Sequence, residues 1–111
     1  AAFAFPGLSP HVDYLIAFGV FTHLPPVDTA LALERIAQRW PGPRVFLFTV
    51  FLAPEGQESA SLRQPDGVVT HPDRPPWHLT EASLSAMATA AGLTLTRQPD
   101  RLPRGQVLFL A

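Results

Sequence analysis

Residues 12–18, VDYLIAF, are almost continuously apolar, with no period of two beyond Asp13. Such a run is expected of a strand covered on both faces in a parallel sheet, and Gly19 punctuates its end. After Pro25 and Pro26 the period changes. Leu33, Ile36, Ala37 and Trp40 follow i, i+3, i+4, i+7, while Glu34, Arg35, Gln38 and Arg39 fall on the opposite side, which is the pattern of an amphipathic helix. It is predicted to begin near Asp28, a suitable cap, and to end before Pro41-Gly42-Pro43, because the residue before a proline disfavours helical geometry. Residues 45–52, VFLFTVFL, give a second buried strand. Strand, helix and strand in this spacing predict a βαβ unit.

The stretch 53–79 differs: Pro54, Pro65, Pro72, Pro75 and Pro76 interrupt it, and no helical or strand period is sustained. It is predicted to be a long flexible loop, with Val68-Val69-Thr70 as a short extended piece inside it. Thr80 then reads as an N-cap, with Leu79 and Leu84 placed for a hydrophobic staple. Leu84, Met87, Ala88 and Ala91 repeat at helical spacing, and Gly92 suits the left-handed position that closes a helix. Residues 93–96, LTLT, alternate as a half-exposed strand does. Residues 99–105 are short enough for a hairpin-like reversal, and residues 107–110, VLFL, form a last apolar strand. The prediction is a single α/β domain over 1–111, in the order β-α-β-loop-α-β-β, with a parallel start and an antiparallel last strand.

Composition narrows the chemistry. With 111 residues, 47% hydrophobic and 15% charged, the chain has the balance of one globular domain. It has no cysteine, so a disulfide framework, a thiolate zinc site and a cysteine nucleophile are excluded. Eight arginines, no lysine and nine carboxylates leave a net charge of −1, without the excess of cations a phosphate backbone would demand. No nucleic-acid partner is expected. The longest apolar runs are far shorter than the ~20 residues of a membrane-spanning helix, so no membrane partner is expected either. The start, AAFAFP, lacks the charged region of a signal peptide and reads as the interior of a longer sequence. The expected location is cytoplasmic. The four histidines lack the short spacing of a metal site, and His11-x-Asp13 alone does not make one, so no metal is expected. Asp13 suits capping of a neighbouring backbone group.

One segment is familiar in kind. Residues 13–26, DYLIAFGVFTHLPP, resemble the fourth strand and following loop of class I S-adenosylmethionine-dependent methyltransferases. The resemblance continues in order through the helix over residues 33–40, the Pro41-Gly42-Pro43 turn, the strand over 45–52, the helix ending Ala90-Ala91-Gly92-Leu93 and the two closing strands. It implies a Rossmann-like methyltransferase sheet. Two departures stand out. Pro41-Gly42-Pro43 replaces the family's Pro-Gly-Gly, and the glycine-rich cofactor motif after the family's first strand is absent together with the acidic residue that ends its second. None of the seven glycines forms G-x-G. The resemblance is therefore to the C-terminal half of such an enzyme.

Ligands of open α/β sheets sit beyond the carboxyl ends of parallel strands, which directs attention to residues 18–23 and 51–54. By the resemblance, the backbone of Ala17, Phe18 and Gly19 would face the methionine end of S-adenosylmethionine, with Val20 and Phe21 beside it; the alternative for Val20 and Phe21 is core packing at a strand end. His23 is either a general base toward a substrate hydroxyl or amine or a hydrogen-bonded histidine that starts the helix. His71, Trp77 and His78 would line a substrate pocket, or Trp77 anchors the loop against the sheet.

Two functions compete. In the first, the chain is a fragment of a methyltransferase acting on a small-molecule or undetermined acceptor, by in-line attack of a substrate nucleophile on the sulfonium methyl with the protein supplying orientation. S-adenosylmethionine would be the cofactor of the full-length protein, without tight binding to this chain alone. In the second, the chain is a non-catalytic interaction or assembly domain that uses an open sheet edge. In the family sheet the fourth strand pairs with the first, so the edge of residues 12–18 would be left unpaired here. A homodimer or strand-exchanged oligomer is expected, with residues 1–5 folding back as the alternative cover.

Overall fold

A computed structural model of the chain describes residues 14–40, 45–65, 67–101 and 105–111. Strand β1 (Tyr14–Ala17) pairs in parallel with β2 (Val45–Ala53), and helix α1 (Pro26–Arg39) connects them. The βαβ unit is thus present. The helix opens with Pro26 at its first position, where the missing amide is not needed, so it starts two residues before Asp28, which lies in the first turn instead of capping it. It ends at Arg39, ahead of the proline turn, whose own residues lie outside those described.

Beyond β2 the chain forms a two-stranded hairpin of β3 (Leu62–Arg63) and β4 (Val69–Thr70), then β5 (His78–Thr80), which runs parallel to the last three residues of β2. Val69 and Thr70 are extended as expected. The rest of the expected loop is more structured than its prolines suggested, because β5 takes its order from β2, a partner far away in sequence. Helix α2 (Glu81–Ala90) follows, capped by the Thr80 side chain, which accepts from the Ser83 amide at 3.1 Å, and closed by Gly92 at φ 80°.

The final pair departs from expectation in register. Residues 93–95 are not a strand; β6 spans Thr96–Arg101 and pairs antiparallel with β7 (Val107–Leu110), so residues 99–101 of the expected reversal belong to β6, and residues 102–104 lie outside those described. Between Arg97 and Arg101 the pairing is irregular, as one residue of β7, Leu108, stands against three of β6, residues 98–100, which include Pro99. A proline is tolerated here because β6 lies at the sheet edge. The strand order is β1-β2-β7-β6, with β5 added beside β2.

The two faces of the sheet are unequal. Phe46, Phe48 and Val50 of β2, Phe109 of β7 and Leu15 and Ala17 of β1 share one face by register, and they join Leu33, Ile36 and Trp40 of α1 and Leu84 and Ala88 of α2 in one core. Both helices therefore cover the same side. Phe48 stacks on Phe109 with ring centroids 5.9 Å apart and lies 5.0 Å from Phe46. The opposite face carries Tyr14, Ile16, Val45, Leu47, Leu108 and Leu110. Tyr14 is 70% and Ile16 65% exposed, and the other four are half-buried. The expectation of a first strand covered on both faces is corrected: among the described residues β1 is an edge strand buried on one face alone, and Val12 and Asp13 lie outside them.

Candidate functional site

Beyond the end of β1 the chain makes a sharp turn. Gly19 adopts φ +71°, a conformation that favours glycine, and a Cβ built there would meet nothing within 4 Å. The turn is tied from below. Thr49, at the centre of β2 and fully buried, accepts a hydrogen bond from the Gly19 amide at 2.9 Å and donates its own hydroxyl to the Gln106 side-chain oxygen. Thr22 in turn donates to the Gly19 carbonyl at 3.1 Å. The Gly19 amide is consequently spent on the fold. What the turn offers outward is the space above Gly19 and the apolar surface of Phe18 and Val20, which are 52% and 48% exposed. Phe21 points the other way: it is 5% exposed, and its ring lies 5.3 Å from Phe48 and 6.0 Å from Phe46.

Phe21, Thr22 and His23 form a short 3₁₀ turn. The His23 side chain is exposed, and its ring makes no hydrogen bond to a described residue. It does not cap α1, whose first turn has no side-chain cap.

The segment after β2 meets this turn. The Trp77 amide donates to the Thr22 carbonyl at 2.8 Å, which brings half-buried Trp77 beside the His23 turn. His71 pairs with Trp77 through the backbone, and its Nδ1 lies 2.8 Å from the Ser61 hydroxyl. His78 is different in kind. It is 2% exposed, with Nε2 2.9 Å from the Glu58 carbonyl and Nδ1 2.7 Å from the Thr70 hydroxyl. A carbonyl can only accept, so Nε2 carries a proton, and in the neutral ring Nδ1 takes the hydroxyl proton of Thr70. Gln64, also buried, donates to Thr70 Oγ1 at 3.0 Å and to the Leu52 carbonyl at 3.1 Å. Both His78 nitrogens are engaged within this segment, tying β5 to Glu58 and to Thr70 of β4, while Gln64 joins the segment to β2.

The structure thus places Ala17 through His23 at and beyond the carboxyl end of β1, with Trp77, at the amino end of β5, bonded to Thr22, and His71 paired with Trp77; His78 is buried in β5. Thr49, Gln106, Gln64 and Thr70 escaped the sequence reading. Thr49 had a signal: it is the one polar residue within an otherwise apolar run. The other three had none, because their partners are distant in sequence. Among the described residues no group of three or more His, Asp or Glu stands close enough to hold a metal, and no helix is long and apolar enough to cross a membrane.

No protein-family model and no curated protein matches the sequence. Among solved structures, a SAM-dependent methyltransferase from Methanosarcina mazei superposes with a TM-score of 0.55 at 12% identity, over 88% of this chain. The fold is methyltransferase-like. The chain spans 56% of that protein's length, so the similarity concerns part of the larger molecule.

The residues present fit S-adenosylmethionine only in part. Open space above Gly19, flanked by exposed Phe18 and Val20, fits one wall of a cofactor site. Residues 14–27 contain no Asp or Glu, however, so this turn supplies no carboxylate for ribose hydroxyls, and the Gly19 amide is already committed to Thr49.

Proposed function

We propose that this chain forms the C-terminal half of a SAM-dependent methyltransferase acting on a small-molecule or undetermined acceptor. The observation that carries this reading is the superposition of 88% of the chain on about half of a SAM-dependent methyltransferase. In it, the turn at Ala17, Phe18 and Gly19 gives one wall to the cofactor, Val20 extends that wall, and Phe21 holds it on the core. His23, exposed beside Trp77, is the residue available to take a proton from the acceptor. His71 and Trp77 border the acceptor side, and His78 fixes the segment that carries them. Alone, the chain binds the cofactor weakly, because the groups that hold its ribose and methionine are missing from it.

A titration with S-adenosylhomocysteine, followed by amide chemical shifts, tests this. The expected result is a dissociation constant in the millimolar range, near −4 kcal/mol, with shifts confined to residues 17–23 and 77. Low-micromolar affinity would show a site built from other parts; shifts centred on the hollow lined by Ser85, Thr89 and Leu95 would remove the cofactor from the strand ends. A second reading, a non-catalytic assembly domain, is favoured by one observation, the open apolar sheet face at Tyr14 and Ile16.

A further inference from the structure

Which way the Phe18–Gly19 peptide faces is decided two strands away. The bond is trans, so its N–H and its carbonyl point in opposite directions. With the amide held on the buried Thr49 hydroxyl at 2.9 Å, the Phe18 carbonyl is aimed away from Thr49. The β1–β2 ladder ends at Ala17, and no described residue donates to that carbonyl. Glycine takes either sign of φ at little cost, so residue 19 alone does not stop this peptide from turning over. The Thr49 oxygen does, and it is a better acceptor for giving its own proton to Gln106 Oε1, at 2.5 Å. Gln106 in turn is set from a fixed point. Gly105, buried at φ +76°, lies so close to the turn of the β3–β4 hairpin that an added Cβ would stand 2.8 Å from Pro65 Cδ and 3.3 Å from Gln64 Cβ, and Gln64 donates to the Leu52 carbonyl of β2.

We propose that Thr49 and Gln106 are positioning residues, an inference that rests on the turn being a wall of the ligand site. Together they hold the Phe18–Gly19 peptide so that the turn meets its ligand with the Phe18 carbonyl, as a hydrogen-bond acceptor for an ammonium, amine or hydroxyl group. Beside that carbonyl stand the exposed side chains of Phe18 and Val20, and residues 14–27 contain no Asp or Glu to compete for the donor. A ligand carboxylate only accepts hydrogen bonds, and it finds no partner in this peptide, because the carbonyl repels it and the amide is taken. Turned over, the same peptide would show its N–H and reverse the preference. Gln106, acting through Thr49, thereby sets the polarity of the turn.

Carbonyl and amide resonances of the isotope-labelled chain, titrated with S-adenosylhomocysteine, test the proposal; this probe carries ammonium and hydroxyl donors as well as a carboxylate. The Phe18 carbonyl carbon should move downfield as it accepts a hydrogen bond, while the Gly19 amide keeps its slow exchange. Gln106→Met keeps the length of the side chain but removes the acceptor. Its Gly19 amide should exchange at least about tenfold faster than the parent's, with the amides of β2 and α2 unchanged. Its affinity for the probe should fall about fivefold, in proportion to the fraction of turns left in the competent orientation. Gln106→Glu, which keeps an oxygen for the Thr49 hydroxyl, should restore both. Thr49→Val and Thr49→Ser form the same pair at the other end of the relay, the first losing both properties and the second keeping them. Faster exchange throughout β2 and α2 in Gln106→Met would reduce Gln106 to a structural role and overturn the proposal. So would parent-like affinity and Gly19 exchange in that variant, or a Phe18 carbonyl that stays still while residues 17–23 respond to the probe. No response at residues 17–23 in the parent would instead overturn the turn as a ligand wall, and Gly19 exchange in the ligand-free variants would still decide whether the relay orients the peptide.

Discussion

At the scale of single residues, the candidate site depends on a polar atom placed where the chain is otherwise apolar. Thr49 sits in the centre of β2 with no exposed surface, and its hydroxyl joins the Gly19 amide to Gln106. Valine has nearly the same shape but cannot accept a hydrogen bond, so Thr49→Val leaves the Gly19 amide and Gln106 without this partner. A loss of about 1–3 kcal/mol is expected, measured by urea unfolding. Gly19→Ala probes the same turn from the other side. Nothing lies within 4 Å of the added methyl, so its cost is that of the left-handed backbone alone, about 1–2 kcal/mol. A cost well above that for Gly19→Ala would mean that the space above the turn is filled by something else.

At the scale of elements, parts whose order is local were legible in the sequence, and parts ordered by distant partners were not. Thr80 caps α2 and Gly92 closes it as their spacing predicted, because a cap depends on residues three or four positions away. Leu33, Ile36 and Trp40 are buried as the period of α1 required. In contrast, β5 exists because Phe51, Leu52 and Ala53 offer it a ladder, and nothing in residues 72–80 announces that partner. The strand misplaced at residues 93–96 shows the same limit: a short alternation cannot specify which residues meet β7, and Leu93 is used as core instead. The place of residues 18–23 just beyond a strand was legible from the glycine that ends the apolar run, whereas the fastening role of His78 required Gln64, Thr70 and Glu58 to be seen around it. Amide exchange separates these classes within the segment after β2. Gln64, His71, Trp77 and His78 donate to the carbonyls of Val68, Pro76, Thr22 and His71, and these amides should exchange slowly. Residues 58 and 59, exposed and in turns, should exchange fast. In His78→Leu the Glu58 carbonyl loses the imidazole and the Thr70 hydroxyl keeps Gln64 but loses His78, and the slow amides of residues 71–78 should speed up together.

At the scale of the whole molecule, the asymmetry of the sheet governs stability. A domain of 111 residues ordinarily unfolds with about 5–15 kcal/mol, but that range belongs to sheets and helices that bury their apolar faces. Here α1 and α2 cover one side, and the other keeps Tyr14 and Ile16 mostly in water. The apolar surface left open contributes nothing in the single chain, so a dilute sample should lie at the low end of that range. Urea unfolding of a dilute sample reads this quantity. A stability near the top of the range would mean that the open side of the sheet costs the folded chain nothing.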